Sequence, residues 1–485
     1  MGAPPVVQGH PSPHYQQTSH PSDGIYSSGD QEFASSLGEP LNGSPNDFNG
    51  EKGEMQPKKF NDVPFAVAFV AHLGVMAYFL VAYSGIEGGQ ERQQYNYTGI
   101  VYSVCICGAF ALALASVALG FMMKFSQELV KAALFFSVSL SLAVGIIGAL
   151  SGQVLMAVMG FISFAVGCCY AYFVRSRIPF AAANLNTALS AVKANMGLSV
   201  VAYFFLAVAL CWSIWWSVAA GGALNGVGSG IIFLFLVSYY WTHQVIQNTV
   251  HVTVAGVVGT WWFVPDEASS FWSPAIKDSF SRATTHSFGS ICFGSLLVAL
   301  IQALRHLQHM LRENEDFNIL VCLIECLLAC VQSVIEYLNS WAYTYVGLYG
   351  YSYLDAGRNV ITLFQHKGWS SIISDDLAEN VLFMMSIGIG LLTGLVGLII
   401  STLDKNIFAD IGLDEGDVGS ASFFVGFLVG FILTSILMSV VGSAVKTCIV
   451  CFAESPAEFE ANHPQLSQEM RAAWREAWPT ECANL

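Results

Sequence analysis

The chain has 485 residues, of which 54% are hydrophobic and only 11% are charged. Soluble domains average about 25% charged residues, so this composition excludes an ordinary soluble protein and indicates many membrane-buried segments. The formal net charge is −15 and the basic residues form no stripe or cluster, which excludes a nucleic-acid-binding surface. We therefore expect an all-α polytopic integral membrane protein surrounded by the lipid bilayer.

The first 61 residues are rich in proline, glycine, serine, asparagine, glutamine and aspartate. Such a segment buries too little apolar surface to offset its ordering entropy, so we expect a disordered cytosolic tail over 1–61. The first 20 residues lack the apolar core of a cleavable signal peptide, so the first span should act as the targeting signal. Lys58 and Lys59 precede that span and favour a cytosolic N-terminus.

Apolar runs alternate with short polar segments along 62–451, which we interpret as the transmembrane transporter domain. The pattern predicts about ten transmembrane helices, at 63–83, 99–123, 132–150, 154–174, 197–220, 231–263, 288–304, 317–349, 380–403 and 423–445. Both termini are then cytosolic, and 452–485 forms a cytosolic C-terminal tail. Asn96, in the first outer loop, begins a glycosylation sequon.

Two segments near the predicted inner membrane surface have patterns of their own. Residues 180–196 mix alanines with Asn184 and Lys193, so we expect a short interfacial helix on the inner leaflet. Trp261 and Trp262 close the sixth predicted span, where amphipathic rings typically anchor a helix at the interface.

Glycines recur at short intervals along the last two predicted spans, at Gly388, Gly390, Gly394, Gly397, Gly426 and Gly430. A face of small residues lets two helix backbones approach closely. We expect these two helices to pack along a seam on which one can slide against the other.

The eighth predicted span has a polar face made of Glu325, Gln332, Glu336, Asn339 and Tyr343. A carboxylate at bilayer depth costs about 2.5–3.5 kcal/mol, so a spanning helix here needs a partner or a transport pathway for that face. Alternatively, 317–338 lies at the interface and its polar face is solvated. Arg305 and Arg312 favour that placement by the positive-inside rule.

The sixth predicted span also carries a polar stripe, because Tyr240, Gln244, Gln247 and His251 fall on one helical face. An unpaired polar group in hydrocarbon costs several kcal/mol, so this face should look into the bundle interior or a wet cavity. Interhelical hydrogen bonding is the simpler explanation of the same stripe.

Motifs for enzymatic chemistry are missing from the sequence, which contains no Walker A loop, HExxH motif or nucleophile elbow. Cys448 and Cys451 form a lone CxxC without a second pair, so we expect no metal site and no cofactor. A reactive group of His243, His251 and Glu325 is conceivable, but a structural or binding role is the expected one. We therefore predict that the protein is not an enzyme.

Four stretches resemble the choline transporter-like family (solute carrier 44): 248–263, 289–296, 342–350 and 451–454. Their order and spacing match from about residue 61 to the C-terminus. The short first outer loop and the polar tail before it are similar to the fungal branch of that family, the pH-nine-sensitive (PNS) proteins. The resemblance implies a ten-span carrier with cytosolic ends and choline or a related amine as its substrate.

A quaternary ammonium cannot donate a hydrogen bond and is best held by aromatic faces, each worth about 0.5–2 kcal/mol. Aromatic rings are dense on the fifth and sixth predicted spans, although those of the fifth could instead form an interfacial belt. Amides or an imidazole could meet a hydroxyl group, and a carboxylate could balance the charge. The predicted substrate-binding residues are Trp212, Trp215, Trp216, Tyr240, Trp241, Gln244, Asn248, His251, Glu325 and Glu336.

The sequence thus predicts a facilitative carrier of choline or another small organic cation in the plasma membrane, with a midplane site exposed to each side in turn. Two alternatives belong to other classes. One is a non-transporting scaffold or alkaline-tolerance protein that binds partners through its cytosolic tails. The other is a lipid-headgroup enzyme or scramblase. No oligomeric state is predicted.

Overall fold

The computed structural model describes residues 55–83, 98–227, 231–312, 319–367, 377–403, 417–480 and 482. Most of the predicted disordered tail, 1–54, lies outside this part of the chain, as does the sequon at Asn96. The side chain of Glu325 also lies outside it, although its backbone belongs to a described helix. Among the described residues the secondary structure is helical, and no strand occurs.

Fifteen α-helices are described, and we number them in chain order. They are α1 Val63–Tyr83, α2 Thr98–Lys124, α3 Ser126–Leu150, α4 Val154–Val174, α5 Ile178–Ala194, α6 Gly197–Val227, α7 Ile232–Phe263, α8 Pro274–Thr284, α9 Phe288–Arg312, α10 Ile319–Tyr349, α11 Tyr353–His366, α12 Leu377–Leu403, α13 Val418–Glu454, α14 Pro456–Asn462 and α15 Pro464–Ala477.

Eight segments of the described chain are long and apolar enough to cross a membrane, so the predicted all-α polytopic membrane fold is confirmed. Seven correspond to α1, α2, α3, α6, α9, α12 and α13, and the eighth runs through α4 and α5. Helices α7 and α10 have 32 and 31 residues but carry the polar faces seen in the sequence. The eight segments together with α7 and α10 would make ten spans, and that number stays a prediction.

Several helices extend beyond the predicted spans. Helix α13 has 37 residues and continues to Glu454, about two turns past the predicted end at residue 445. Its last turns, including Cys448 and Phe452, are buried. Helix α7 is unbroken over its whole length. The span length set by the bilayer therefore underestimates helices that continue into packed parts of the protein.

Helices α12 and α13 pack along the predicted glycine seam. A Cβ atom at Gly397 would lie 2.3 Å from the carbonyl oxygen of Ser422, and one at Gly426 would lie 2.7 Å from that of Thr393. Real Cβ contacts are longer than 3.0 Å, so side chains at these two positions would push the helices apart. The glycines therefore set the distance between α12 and α13.

Helix α5 is buried, which differs from the surface position predicted for an interfacial helix. Phe180, Leu185 and Val192 are each at most 1% exposed, and Asn184 is equally buried. The covering elements include α15, from the far end of the chain, whose Trp474 donates a hydrogen bond from Nε1 to Asn184 Oδ1 at 2.9 Å. A local sequence pattern cannot reveal a partner that is 290 positions away.

The C-terminal helices pack against the end of α7 through the two tryptophans predicted to anchor that end at the interface. Trp262 is fully buried and stacks on Phe459 with ring centroids 3.8 Å apart. Trp261 stacks on His463 at 4.0 Å. Asn462 Nδ2 donates to the backbone oxygen of Trp262 at 2.8 Å. The two indoles therefore hold the segment after α13 against the helical body, and neither is exposed to a membrane surface.

The chain before α1 is also fixed to the body. Gln56 N donates to the backbone oxygen of Tyr349 at 2.8 Å, and the Tyr349 hydroxyl donates to the Glu454 carboxylate. Asp62 Oδ2 accepts hydrogen bonds from Ser290 Oγ at 2.6 Å and from Tyr353 N at 3.0 Å. Residues 55–62, before α1, and Glu454, the last residue of α13, therefore meet near the C-terminal end of α10.

Candidate functional site

A cavity of about 1040 Å³ lies where six helices converge, α5, α7, α9, α10, α12 and α13. Small-molecule sites typically occupy about 300–1,000 Å³, so this volume is ample for a small organic ligand. Four of the predicted site residues line it: Gln244, Asn248, His251 and Glu336. The polar stripes of α7 and α10 thus face the same space.

Side-chain amides hold the Glu336 carboxylate on one wall. Glu336 Oε1 accepts hydrogen bonds from Gln332 Nε2 at 2.7 Å and from Gln302 Nε2 at 3.1 Å. Gln332 in turn accepts a hydrogen bond from the Arg305 guanidinium. These hydrogen bonds fix the position of the Glu336 carboxylate on α10.

The amides continue from Glu336 towards α7. Gln302 Oε1 accepts from Gln244 Nε2 at 3.4 Å, and Asn248 Nδ2 donates to Ser295 Oγ at 3.0 Å. Gln244 and Asn248 are themselves joined at 3.5 Å. The hydrogen-bonding groups of α7, α9 and α10 are therefore already oriented by one another, which lowers the entropy lost on holding a polar ligand.

Asn339 lines the same cavity and is fixed by two other elements. Its Nδ2 donates to the backbone oxygen of Gly294 at 3.1 Å, and its Oδ1 accepts a hydrogen bond from the Tyr353 hydroxyl of α11. Burial raises the pKa of Tyr353 to about 12, so its hydroxyl stays protonated and remains a donor at neutral pH. Helix α11 thereby orients a cavity residue without lining the cavity itself.

His251 is held by hydroxyl groups on two neighbouring helices. Its Nε2 lies 3.2 Å from Thr344 Oγ1 on α10, and its Nδ1 lies 2.9 Å from Ser443 Oγ on α13. Thr344 Oγ1 donates its own hydrogen to the Ser340 oxygen at 3.0 Å, so these contacts fit a neutral imidazole that donates from Nε2 to Thr344 and accepts at Nδ1 from Ser443. His251 therefore connects α7 to both helices beside the cavity.

An ion pair lies on the side of the cavity formed by α12 and α13. Lys446 Nζ lies 2.7 Å from Glu379 Oε1, and both residues line the cavity. Their side chains are 23% and 48% exposed. Sequence reasoning used Lys446 only as a mark of the cytosolic side and did not single out Glu379. Their opposite charges near the inner ends of neighbouring predicted spans were the signal that could have paired them.

The predicted tryptophans and Tyr240 lie elsewhere, in and beside an aromatic cluster that α1, α6 and α7 form together. We define this aromatic cluster as Phe69, His72, Trp212, Trp215, Trp216, Phe235, Tyr239 and Trp241. Trp241 packs against Phe69 and against His72, with ring centroids 5.2 Å apart in each pair. Trp212 packs against Trp215 at 5.5 Å. These contacts are edge-to-face or tilted, and neither Tyr240 nor any of the four predicted tryptophans lines the cavity.

Hydrogen bonds fix several members of the aromatic cluster to the backbone. Trp241 Nε1 donates to the Cys292 oxygen, and Trp216 Nε1 donates to the Phe235 oxygen, both at 2.9 Å. Tyr240, beside the cluster, has its hydroxyl 3.2 Å from His306 Nδ1 on α9. These partners are the ones expected for side chains with a structural role.

Other aromatic residues line the cavity and were not predicted: Phe180, Tyr337, Trp341 and Phe383. They lie on α5, α10 and α12, far along the chain from the aromatic-rich stretch at 212–241. Gln302 was missed as well, although a glutamine in an otherwise apolar span was a visible signal. The aromatic-rich stretch of the sequence therefore lies away from the cavity, whereas the polar residues Gln244, Gln247 and His251 of one α7 face line it.

The two histidines considered for a reactive group do not meet. His243 Nε2 lies 3.1 Å from Ser213 Oγ on α6, whereas His251 contacts α10 and α13. Each imidazole thus has its own set of partners on different helices.

A family model described as plasma-membrane choline transporter matches residues 154–457, which include all six helices of the cavity. The chain belongs to the choline transporter-like family. It is 28% identical over 452 residues to a CTL-like protein of Dictyostelium discoideum, an alignment that covers 87% of this chain and 76% of the relative.

Fungal proteins are similar over comparable lengths. Protein PNS1 of Mycosarcoma maydis is 30% identical over 407 residues, which cover 77% of this chain and 75% of the relative. Protein PNS1 of Eremothecium gossypii is 28% identical over 465 residues, which cover 86% of this chain and 82% of the relative. The resemblance inferred from the four sequence stretches is thereby confirmed. Family membership assigns this multi-pass membrane protein a transporter-type function.

Proposed function

We propose that the protein is a facilitative carrier of choline or a related small organic cation in the plasma membrane. The cavity between α5, α7, α9, α10, α12 and α13 is the proposed site of the cation in transit. The observation that carries this proposal is the Glu336 carboxylate, held by two amides on the wall of a space large enough for such a ligand.

The chemistry of the wall suits a hydroxylated ammonium ion. Glu336 supplies a negative charge, and amides such as Gln244 and Asn248 supply groups that can bond a hydroxyl. Trp341 and Phe383 supply aromatic surface, which attracts cations. The glycine seam between α12 and α13 is the proposed place where two parts of the carrier slide, because small residues there leave a smooth contact.

The partner-binding alternative gains less support from the structure. Of the two tails that would bind partners, the C-terminal one has Phe459 and Trp474 fully buried against the helical body. The segment therefore acts as part of the fold, and the carrier function is the one we propose.

Uptake of radiolabelled choline into sealed liposomes containing the purified protein tests the proposal. We expect saturable uptake above that of empty vesicles. Ser439→Trp places a large ring in the cavity and should reduce uptake at least about tenfold, because the ring takes space that the substrate needs.

Ser116→Trp is the matched control. Both serines lie on long apolar helices and donate to their own helix backbone, Ser439 to the Ile436 oxygen and Ser116 to the Leu112 oxygen, each at 2.8 Å. Ser116 does not line the cavity, so this variant should transport normally. Absence of saturable uptake by the folded wild-type protein, or normal uptake by Ser439→Trp, would contradict the proposal.

A further inference from the structure

Three charged side chains line the cavity among the described residues: Glu336, Glu379 and Lys446. They differ in how their charges are balanced. Glu336 is oriented by neutral amides, and one of these, Gln332, is also bonded to the Arg305 guanidinium. Glu379 is in direct contact with the Lys446 ammonium at 2.7 Å. The Glu379 carboxylate is therefore already occupied by a primary ammonium group that belongs to the protein.

The geometry makes this ammonium exchangeable. The Glu379 side chain is 48% exposed and that of Lys446 is 23% exposed, in a cavity that leaves room for a ligand beside them. A partly exposed ion pair is weak, because both charges keep part of their solvation. Lysine carries its charge on a flexible four-carbon stem, so the ammonium can withdraw without moving the helix.

The ion pair is not needed to hold its two helices together. Helices α12 and α13 are joined by the close backbone contacts at Gly397 and Gly426. His251 further fixes Ser443, which lies one turn before Lys446 on α13. A structural role for the pair is therefore the weaker explanation.

We propose that Lys446 is a tethered competitor of the transported cation. Its ammonium holds Glu379 in the empty carrier, and the substrate's ammonium replaces it on that carboxylate. When the substrate leaves, Lys446 returns to Glu379 and favours release. This inference rests on the proposed function, since it assigns Lys446 and Glu379 to the site of the same cation.

The proposal predicts opposite effects from the two members of one ion pair. Lys446→Gln removes the ammonium that competes with the substrate for Glu379, so the KM for choline should fall about five- to tenfold, with slower release. Glu379→Gln removes the carboxylate and leaves the lysine charge in the cavity, so KM should rise by a similar factor. The double variant removes both charges and should have a KM between those of the single variants, near the wild-type value.

The experiment measures initial rates of choline uptake in liposomes for the wild type, both single variants and the double variant. Lys277→Gln is the matched control, because it removes one positive charge from an exposed position on α8 outside the cavity. Should Glu379→Gln not fold, Lys446→Gln alone decides, since loss of a structural ion pair would not lower KM.

Opposite shifts that cancel in the double variant support the proposal. Shifts of KM in the same direction, or an unchanged KM in Lys446→Gln, overturn it while leaving choline transport intact. If folded wild-type protein shows no saturable uptake of choline or of other small amines, both this inference and the proposed function are overturned.

Discussion

The aromatic cluster and the cavity share α7 but differ in what their side chains leave available. In the aromatic cluster, Trp241 and Trp212 pack edge to face with neighbouring rings at 5.2–6.0 Å, and the space between them is filled. In the cavity, Gln244 and Asn248 are bonded to other amides yet line about 1040 Å³ of open volume. A residue whose chemistry suits a ligand is thus a candidate for the site only if its side chain faces open space.

This difference separates two roles along one helix. The stretch around Trp241 stabilises the packing of α1, α6 and α7, whereas the next turns, from Gln244 to His251, present polar groups to the cavity. Substitutions in the first region should change stability, and substitutions in the second should change KM.

The largest effect is expected from Trp241→Ala. Trp241 is 6% exposed, and its removal leaves a void beside Phe69 and His72. Large-to-small changes of buried aromatic residues cost about 3–5 kcal/mol, so the apparent melting temperature and the yield of folded protein should drop strongly. Thermal unfolding in detergent measures this, and the KM of the remaining folded protein should be unchanged.

Trp241→Phe is the control, since it keeps an aromatic ring and loses the hydrogen bond to the Cys292 oxygen. It should be much less destabilised. A raised KM in Trp241→Phe with normal stability would place the substrate in the aromatic cluster and contradict the structural role assigned to it.

A smaller effect, on KM alone, is expected from Glu336→Gln. Glutamine keeps the shape and an acceptor for Gln302 and Gln332 but removes the negative charge. The KM for choline should rise about tenfold, equivalent to about 1.4 kcal/mol. Steady-state uptake measures it, with Glu128→Gln as the control because Glu128 is exposed on α3. Equal KM values for Glu336→Gln and wild type would remove Glu336 from the site.

A still smaller change should follow Gln244→Ala, which breaks the link between Gln302 and Asn248. A neutral hydrogen bond contributes about 0.5–1.5 kcal/mol, so KM should rise roughly threefold while the melting temperature changes little. Gln365→Ala, at an exposed position of α11, should leave uptake as it is. A melting temperature as low as that of Trp241→Ala would show that Gln244 has a packing role instead.

The smallest effect should come from Tyr240→Phe, which removes a hydroxyl 3.2 Å from His306 Nδ1 and leaves the ring in place. We expect less than about a twofold change in KM, because the hydroxyl bonds across to α9 and does not line the cavity. A larger change in the uptake kinetics would show that the cavity extends to this turn of α7.

Much of the fold was predictable because the bilayer requires apolar helices of about 20 residues. The bounds of α4, 154–174, follow directly from an apolar run between a glycine turn and a basic segment. The inner part of α13 and the burial of α5 were not predictable, since they depend on α14 and α15 packing against them. Such contacts over long sequence separations leave no local pattern.

Only part of the cavity lining could be predicted from the sequence, for a similar reason. Helical phase placed Tyr240, Gln244, Gln247 and His251 on one face of α7, and the last three of these line the cavity. Lys446 and Glu379 lie on two different helices, and only the tertiary structure puts them 2.7 Å apart. The tryptophans were chosen by chemistry, and the chemistry of a ring does not say which way it faces.

Direct titration of choline into the purified protein tests most clearly whether the cavity is the substrate site. Wild type, Trp241→Phe and Glu336→Gln would be compared by isothermal calorimetry, after each is shown to be folded. We predict the same Kd for wild type and Trp241→Phe, and a Kd about tenfold higher for Glu336→Gln. Loss of binding in Trp241→Phe, with an unchanged Kd in Glu336→Gln, would contradict the assignment of the substrate to the cavity.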